Sequence, residues 1–254
     1  MKSYFLLIVL LSLMACQTTE RSATAEKQTE NLSPNERWVE AINNQQWENI
    51  YLGKAVKIEA DGSLIEGREA IIEAIKQNNW QIEAIETLKT INTHRGSPYQ
   101  YEIGQFTTSN REVFYHLLIW NLAGEQPLRE LEVIASGGTN DSSILNAIDQ
   151  RRAEWIKLCN EHDAANLVEQ LYSEDALYYN HKPIVKGRAA ITQDYSYMNR
   201  PEYSLMLKPI IVQPVNENMV FELGQCSGGY GGKYMLLWQK DAAGKWYVMM
   251  DSNV

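Results

Sequence analysis

"YEIGQF" at residues 101–106 and "FELGQC" at residues 221–226 share one pattern: aromatic, Glu, aliphatic, Gly, Gln, apolar. A single echo of this length can arise by chance, so the flanking sequence decides its meaning. Gly67-Arg68 and Gly187-Arg188 stand 120 residues apart, as do the two hexapeptides. "HLLIW" ends at Trp120 and "MLLW" at Trp238, 118 apart, and Trp38 and Trp155 differ by 117. Small drifts of offset are what loop-length changes produce. The period is too long for a solenoid and suits a tandem duplication of an ordinary domain. "SGGTNDSS" at 136–143 is small and polar and marks the joint. The domains are therefore placed at 34–136 and 141–254.

Each copy repeats one order of elements. In the first, Ser33-Pro34-Asn35-Glu36 is a capping box with proline at N1, and Trp38, Ile42 and residues 47–52 follow a helical rhythm. "AVKIEA", "DG" and "SLIEG" read as strand, tight turn, strand; "REAIIEAIKQN" reads as a second helix, with longer strands to about Ala135. In the second, Asp141 or Ser143 caps a long helix and Asp163 a short one. "ALYYN" and "PIV" are short strands, "GRAAITQDYSYM" a helix, and four strands follow. The expected class is α+β: two tandem cone-shaped domains, each a strongly curved antiparallel sheet wrapped around N-terminal helices. The mouth of such a cone is a natural ligand site.

The first 33 residues lie outside this pattern. Lys2 and the apolar run Phe5–Met14 read as a secretory signal, too short to span a bilayer. Leu13-Met14-Ala15-Cys16 resembles a bacterial lipobox. The resemblance implies that residues 1–16 form the signal, that Cys16 is lipidated, and that an acylated N-terminus holds the protein to the membrane. Gln17, by resemblance to Gram-negative sorting, favours the outer membrane. Residues 17–33 are polar and read as a flexible tether. A net charge of −9 with no basic stripe argues against nucleic acid. Cys159 and Cys226 either pair, as export permits, or stay buried and free.

"LVEQLYSEDALYYNHKPIVKGRAAI" with "GKYMLLWQKDAAGKWYVMMDSN" resembles the SnoaL-like, ketosteroid-isomerase-like branch of the nuclear transport factor 2-like superfamily. The resemblance covers nearly all of copy two and copy one more weakly. It implies the cone fold and leaves function open, because this fold hosts isomerases, dehydratases, cyclases and binding modules.

At an offset of 120, Tyr179-Asn180-His181-Lys182 aligns with Glu59-Ala60-Asp61-Gly62, and Asp251 aligns approximately with Ser136. The polar cluster thus belongs to copy two alone. His181 and Asp251 are the candidate acid–base pair. Tyr178, Tyr195 and Tyr197 are candidate donors, and Asn180, Gln225, Tyr247 and Met249 complete the expected ligand site. His181 also suits a solvated turn. Strand alternation puts Trp246, Val248 and Met250 on one face of the last strand and Tyr247, Met249 and Asp251 on the other. The repeated Glu-x-Gly-Gln element reads as structural: Glu222 is expected to pair with Arg188, and Glu102 with Arg68, with a bulge at Gly224. "SGGYGG" at 227–232 is a hairpin, either a plain turn or one with Tyr230 as a lid. The scattered histidines offer no metal motif and no cofactor is implied. Three functions stay open: a binder of a small, fairly apolar molecule, an isomerase- or dehydratase-type enzyme, and a protein-interaction module. The two copies pair sheet to sheet within one chain, or a homodimer does so.

Overall fold

The computed structural model describes residues 32–139, 141–180, 183–229 and 231–254. The signal segment with Cys16, almost all of the tether, His181 and Tyr230 lie outside the described residues. The first half runs α1 (Pro34–Asn44), β1 (Tyr51–Ile58), β2 (Leu64–Glu66), α2 (Arg68–Lys76), β3 (Ile82–Asn92), β4 (Tyr99–Thr108), β5 (Val113–Asn121) and β6 (Leu128–Ser136). The second runs α3 (Ser143–Asn160), α4 (Ala164–Leu171), β7 (Tyr172–Tyr179), β8 (Val185–Lys186), α5 (Arg188–Asp194), a 3-10 turn (Tyr195–Asn199), β9 (Leu205–Asn216), β10 (Met219–Gly228), β11 (Gly232–Lys240) and β12 (Trp246–Ser252). The described strands form two six-stranded sheets of identical order, β2-β1-β6-β5-β4-β3 and β8-β7-β12-β11-β10-β9. One pair in each sheet, β1 with β6 and β7 with β12, is parallel; the rest are antiparallel.

The capping box forms as expected: Ser33 Oγ accepts from Glu36 N, and the Glu36 carboxylate accepts from Ser33 N. The helical rhythm at 47–52 does not become a helix. Gln45 and Asn49 adopt left-handed backbone, with φ of 58° and 55°, which stops α1 and leaves a turn before β1. The second half has α4 in that place.

Both faces of each sheet are covered. Alternation along β10 and β11 sends Val220, Cys226, Tyr234, Leu236 and Trp238 into the second cone. Phe221, Leu223, Met235 and Leu237 face the other way, into one apolar cluster shared with Tyr101, Ile103, Leu117 and Val133 of the first half. The two sheets thus pack back to back within a single chain. Inside this layer Tyr101 Oη lies 3.2 Å from Ser252 Oγ, and the halves are further joined by Gly138 N donating to Val215 O at 3.0 Å and Gln239 Nε2 donating to Ala60 O at 2.9 Å.

The opening hexapeptide finds its reason here. Across the strand from Gly224 lies Tyr234, and across from Gly104 lies His116. A Cβ at Gly224 would stand 2.1 Å from the Tyr234 ring, and one at Gly104 2.3 Å from His116 Nε2. The glycine lets the facing ring lie flat across the strand and reach the glutamate two residues earlier. The bulge expected at Gly224 sits opposite it instead, at Ile210 in β9, with Leu88 of β3 equivalent in the first half.

Candidate functional site

Glu222 and Glu102 each anchor a buried network on the cone side of their sheet. Glu222 is fully buried and accepts from Arg152 Nε at 2.6 Å and Nη2 at 3.0 Å, Tyr234 Oη at 2.7 Å and Trp238 Nε1 at 2.9 Å. Arg152 comes from α3. Burial works against its charge, but the Glu222 carboxylate outweighs this and holds its pKa above the usual arginine value. The expected Arg188 pairing is wrong: Arg188 donates to Tyr172 O at 2.9 and 2.8 Å and to Glu169 at 3.3 Å. Glu102 likewise takes Asn35, His116 and Trp120 rather than Arg68. The pairing failed because residue 188 starts a helix outside the cone, whereas the long helix inside it carries the arginine.

Asp251 is a second carboxylate facing the second cone's interior, 3% exposed. It accepts from Tyr172 Oη at 3.0 Å and from Tyr195 Oη, and the two phenol oxygens lie 3.1 Å apart. Burial pushes its pKa up to about 6, against the lowering pull of the two phenols. Burial and the Asp251 field push both phenols well up, so they remain neutral donors. Trp155, Tyr195, Tyr197, Tyr203, Tyr234 and Asp251 line a narrow cavity of about 30 Å³. The Trp155 indole N–H is buried without a protein acceptor. Outside it opens a cleft of about 630 Å³ walled by Tyr178, Asn180, Tyr197, Arg200, Tyr203 and Asn253. Tyr197, Tyr203 and Asn253 line both spaces and so divide them. The Tyr197 and Tyr203 rings meet edge to face at 5.3 Å. Tyr178 Oη donates to Asn253 Oδ1 at 2.8 Å and accepts from Asn180 Nδ2 at 3.1 Å.

The structure therefore gathers Asp251, Tyr178, Asn180, Tyr195 and Tyr197 in one place. It does not bring Gln225, Tyr247 or Met249 there. Gln225 is exposed and binds Lys233 Nζ, because Glu222 already points inward and three residues along a strand reverse the face. The register of β12 slips between Val248 and Met250, so Met249 is an extra, bulged residue. That bulge turns Met249 into the layer between the sheets, while Tyr247 stays outside under Arg151, Arg188 and Lys245. Tyr172, Trp155, Tyr203 and Asn253 were missed. Tyr172 had a signal: Tyr51 opens the same strand in the first half. Cys159 and Cys226 are free, and burial pushes their thiols up to about 11 and about 12, which leaves them unreactive. Among the described residues no cluster of His, Cys, Asp and Glu suits a metal.

Strand pairing corrects the alignment of the halves. Asp251 pairs with Tyr178 as Glu132 pairs with Lys57, so the counterpart of Asp251 is Glu132, not Ser136. Tyr51 Oη donates to Glu132 at 3.0 Å, matching Tyr172. The first half is thus not bare. Its cone holds Arg129, fully buried, where the second half has Val248. Arg129 Nη1 donates to Glu132 at 3.0 Å and Nη2 to Asn35 at 3.2 Å, with the guanidinium 3.9 Å from the Trp38 ring centre. Phe106 stacks on Phe114 at 5.1 Å and meets Trp80 and Trp38 edge-on at 5.2 Å. The first cone is filled by its own side chains.

No family model and no curated protein matches the chain. Solved structures similar to one half at a time include an NTF-2 like protein of unknown function from Shewanella oneidensis MR-1, 15% identical over 43% of this chain and 97% of that one, TM-score 0.39. A putative scytalone dehydratase from Novosphingobium aromaticivorans is 15% identical over 43% and 82%, TM-score 0.38. A ketosteroid isomerase-like protein from Erwinia carotovora atroseptica is 15% identical over 44% and 95%, TM-score 0.37. Each spans about one half of this chain, and these likenesses carry no function with them.

Proposed function

We propose that the second half binds a small, fairly apolar molecule in its cone, in a protein held to the cell envelope by lipid on Cys16. One contrast carries the binding reading. Asp251 lies below a tyrosine-lined opening and, among the described residues, pairs with no arginine or lysine. Its counterpart Glu132 is sealed by Arg129 beneath an aromatic plug. The orphan Trp155 N–H in the cavity wall is a further donor for a guest. The cavity of about 30 Å³ has room for a small polar head and not for a whole guest, so the body of the guest occupies the outer cleft.

The test is a native mass measurement on full-length protein from its own cells, beside a Val248→Arg variant that installs the plug of the first half. A retained mass in the wild type that the variant lacks supports binding; an apo mass for both, or equal retention, overturns it. The lipid reading is tested by fractionation: Cys16→Ala should release the protein from membranes, and unchanged partition would refute the anchor.

A second reading is proton transfer of isomerase or dehydratase type with Asp251 as base. It is favoured by a carboxylate poised at about 6 beside two phenol donors. Incubating the retained molecule with the protein in D2O should then introduce deuterium, and none would rule this reading out.

A further inference from the structure

The two halves, matched by strand register, enclose the same set of buried groups. Tyr51, Glu132, Trp38 and Trp120 of the first correspond to Tyr172, Asp251, Trp155 and Trp238 of the second. In the first, the guanidinium of Arg129 occupies the space these groups enclose: on the Glu132 carboxylate at 3.0 Å, 3.9 Å from the Trp38 ring centre and 5.4 Å from that of Trp120. A cation between a buried carboxylate and indole faces is held by charge and by the ring quadrupoles together.

The second half keeps the carboxylate, the tyrosine and both tryptophans and removes the cation. Val248 replaces Arg129. The arginine it does have, Arg152 in the place of Asn35, is spent on Glu222 and on Asp149. The mouth is opened as well: Cys226 stands where the first half has Phe106, 120 residues earlier. What remains is a narrow space bounded by Asp251, Trp155 and four tyrosines, continuous in its lining with the outer cleft.

We propose that the guest of the second cone carries an organic cation, a protonated amine or a guanidinium, that takes the place of the missing Arg129 head beside Asp251, on an apolar or aromatic body seated in the cleft of Tyr178, Tyr197 and Tyr203. This rests on the reading that the second cone binds a ligand, and it adds the ligand's charge. Arg129 is then a built-in copy of the guest's head group, and the first half is the same site permanently occupied from within.

The experiment is calorimetric titration of the full chain with benzylamine and with benzyl alcohol, its neutral isostere, at pH 7.5. Benzylamine should bind at least tenfold tighter than the alcohol, and Asp251→Asn should remove that preference. Equal affinities, or a tighter alcohol, would overturn the proposal without needing any variant to fold. The native mass experiment separates the two claims. A retained neutral molecule would sink the cation while sparing the binding reading. An apo protein that takes up neither probe would end both.

Discussion

Replacing Arg129 by leucine tests the view that the first cone is closed by its own ion pair. The side chain is fully buried, and its Glu132 partner is 1% exposed. Removing one member of a buried pair leaves the other charge uncompensated, which costs about 3–5 kcal/mol. Lost contact with the Trp38 ring adds roughly 0.5–2 kcal/mol, not independently of the first loss. A fall of about 4 kcal/mol is therefore expected, a large share of a typical stability of about 5–15 kcal/mol. Because both sheets share one apolar layer, urea unfolding followed by tryptophan fluorescence should report a single transition. Adding Glu132→Gln removes the stranded charge, so Arg129→Leu/Glu132→Gln should recover about 2 kcal/mol relative to the single variant, a coupling typical of residues in direct contact. Arg129 Nε and Glu132 Oε1 have no hydrogen-bond partner even in the intact pair, so an apolar replacement of both gives up few satisfied bonds. A single variant within 1 kcal/mol of the wild type, or two losses that simply add, would refute the reasoning.

Three further outcomes follow from the same geometry. The folded pKa of Asp251, about 6, lies above its unfolded value near 3.8, so the stability gained by its protonation is fully present at pH below 3.8 and is lost as pH rises through 6. Tyr172, Tyr195, Tyr178, Tyr197 and Cys226 around it are all pushed up and stay neutral in that range. Asp251→Asn should flatten the stability–pH profile between about 4 and 6 and stabilise the empty protein at pH 7 by up to roughly 3 kcal/mol, read by urea unfolding at several pH values. Arg152→Ala strands Glu222, should cost about 3–5 kcal/mol, and should be partly rescued by Glu222→Gln in the same assay. Gly224→Ala sets a Cβ into the Tyr234 ring; a loss of about 1–3 kcal/mol with weakened Tyr234–Glu222 contact is expected, and a neutral effect by thermal melting would contradict the close approach.

The duplication, the capped first helix and the α+β order were legible because each is a local signal: offsets, a capping box, glycine-marked turns. The hexapeptide was legible as structural but not in its mechanism, since nothing in "FELGQC" names Tyr234 as the ring lying over Gly224. The candidate site was half legible. Asp251 and the tyrosines of 178–197 announced themselves by type, and the rest was hidden by one residue. The bulge at Met249, repeated at Glu130 in β6, breaks the alternation that assigned Tyr247 and Met249 to the cone. The offset itself drifts with loop length, from 118 at Trp238 to 119 in the last strand, so the true partner of Asp251 is Glu132 and not Ser136, which stands 115 residues earlier.

The deeper reason is that the buried charge changed elements between the copies. Each half has one arginine and two carboxylates buried on the cone side of its sheet: Arg129 with Glu102 and Glu132, and Arg152 with Glu222 and Asp251. In the first, the arginine comes from the sheet and answers Glu132, while neutral donors answer Glu102. In the second, it comes from the helix and answers Glu222, which leaves Asp251 to phenols alone. No position-by-position comparison shows this, because each arginine faces a different residue type in the other copy, Val248 and Asn35. Only the carboxylates' surroundings reveal that the charge was moved. Moving it keeps one arginine and two carboxylates on the cone side while freeing one carboxylate at the floor of an open cone. A half needed only as a packing partner would have no cause to free that carboxylate, since burial raises its pKa against the pull of the two phenols and no guanidinium offsets that cost.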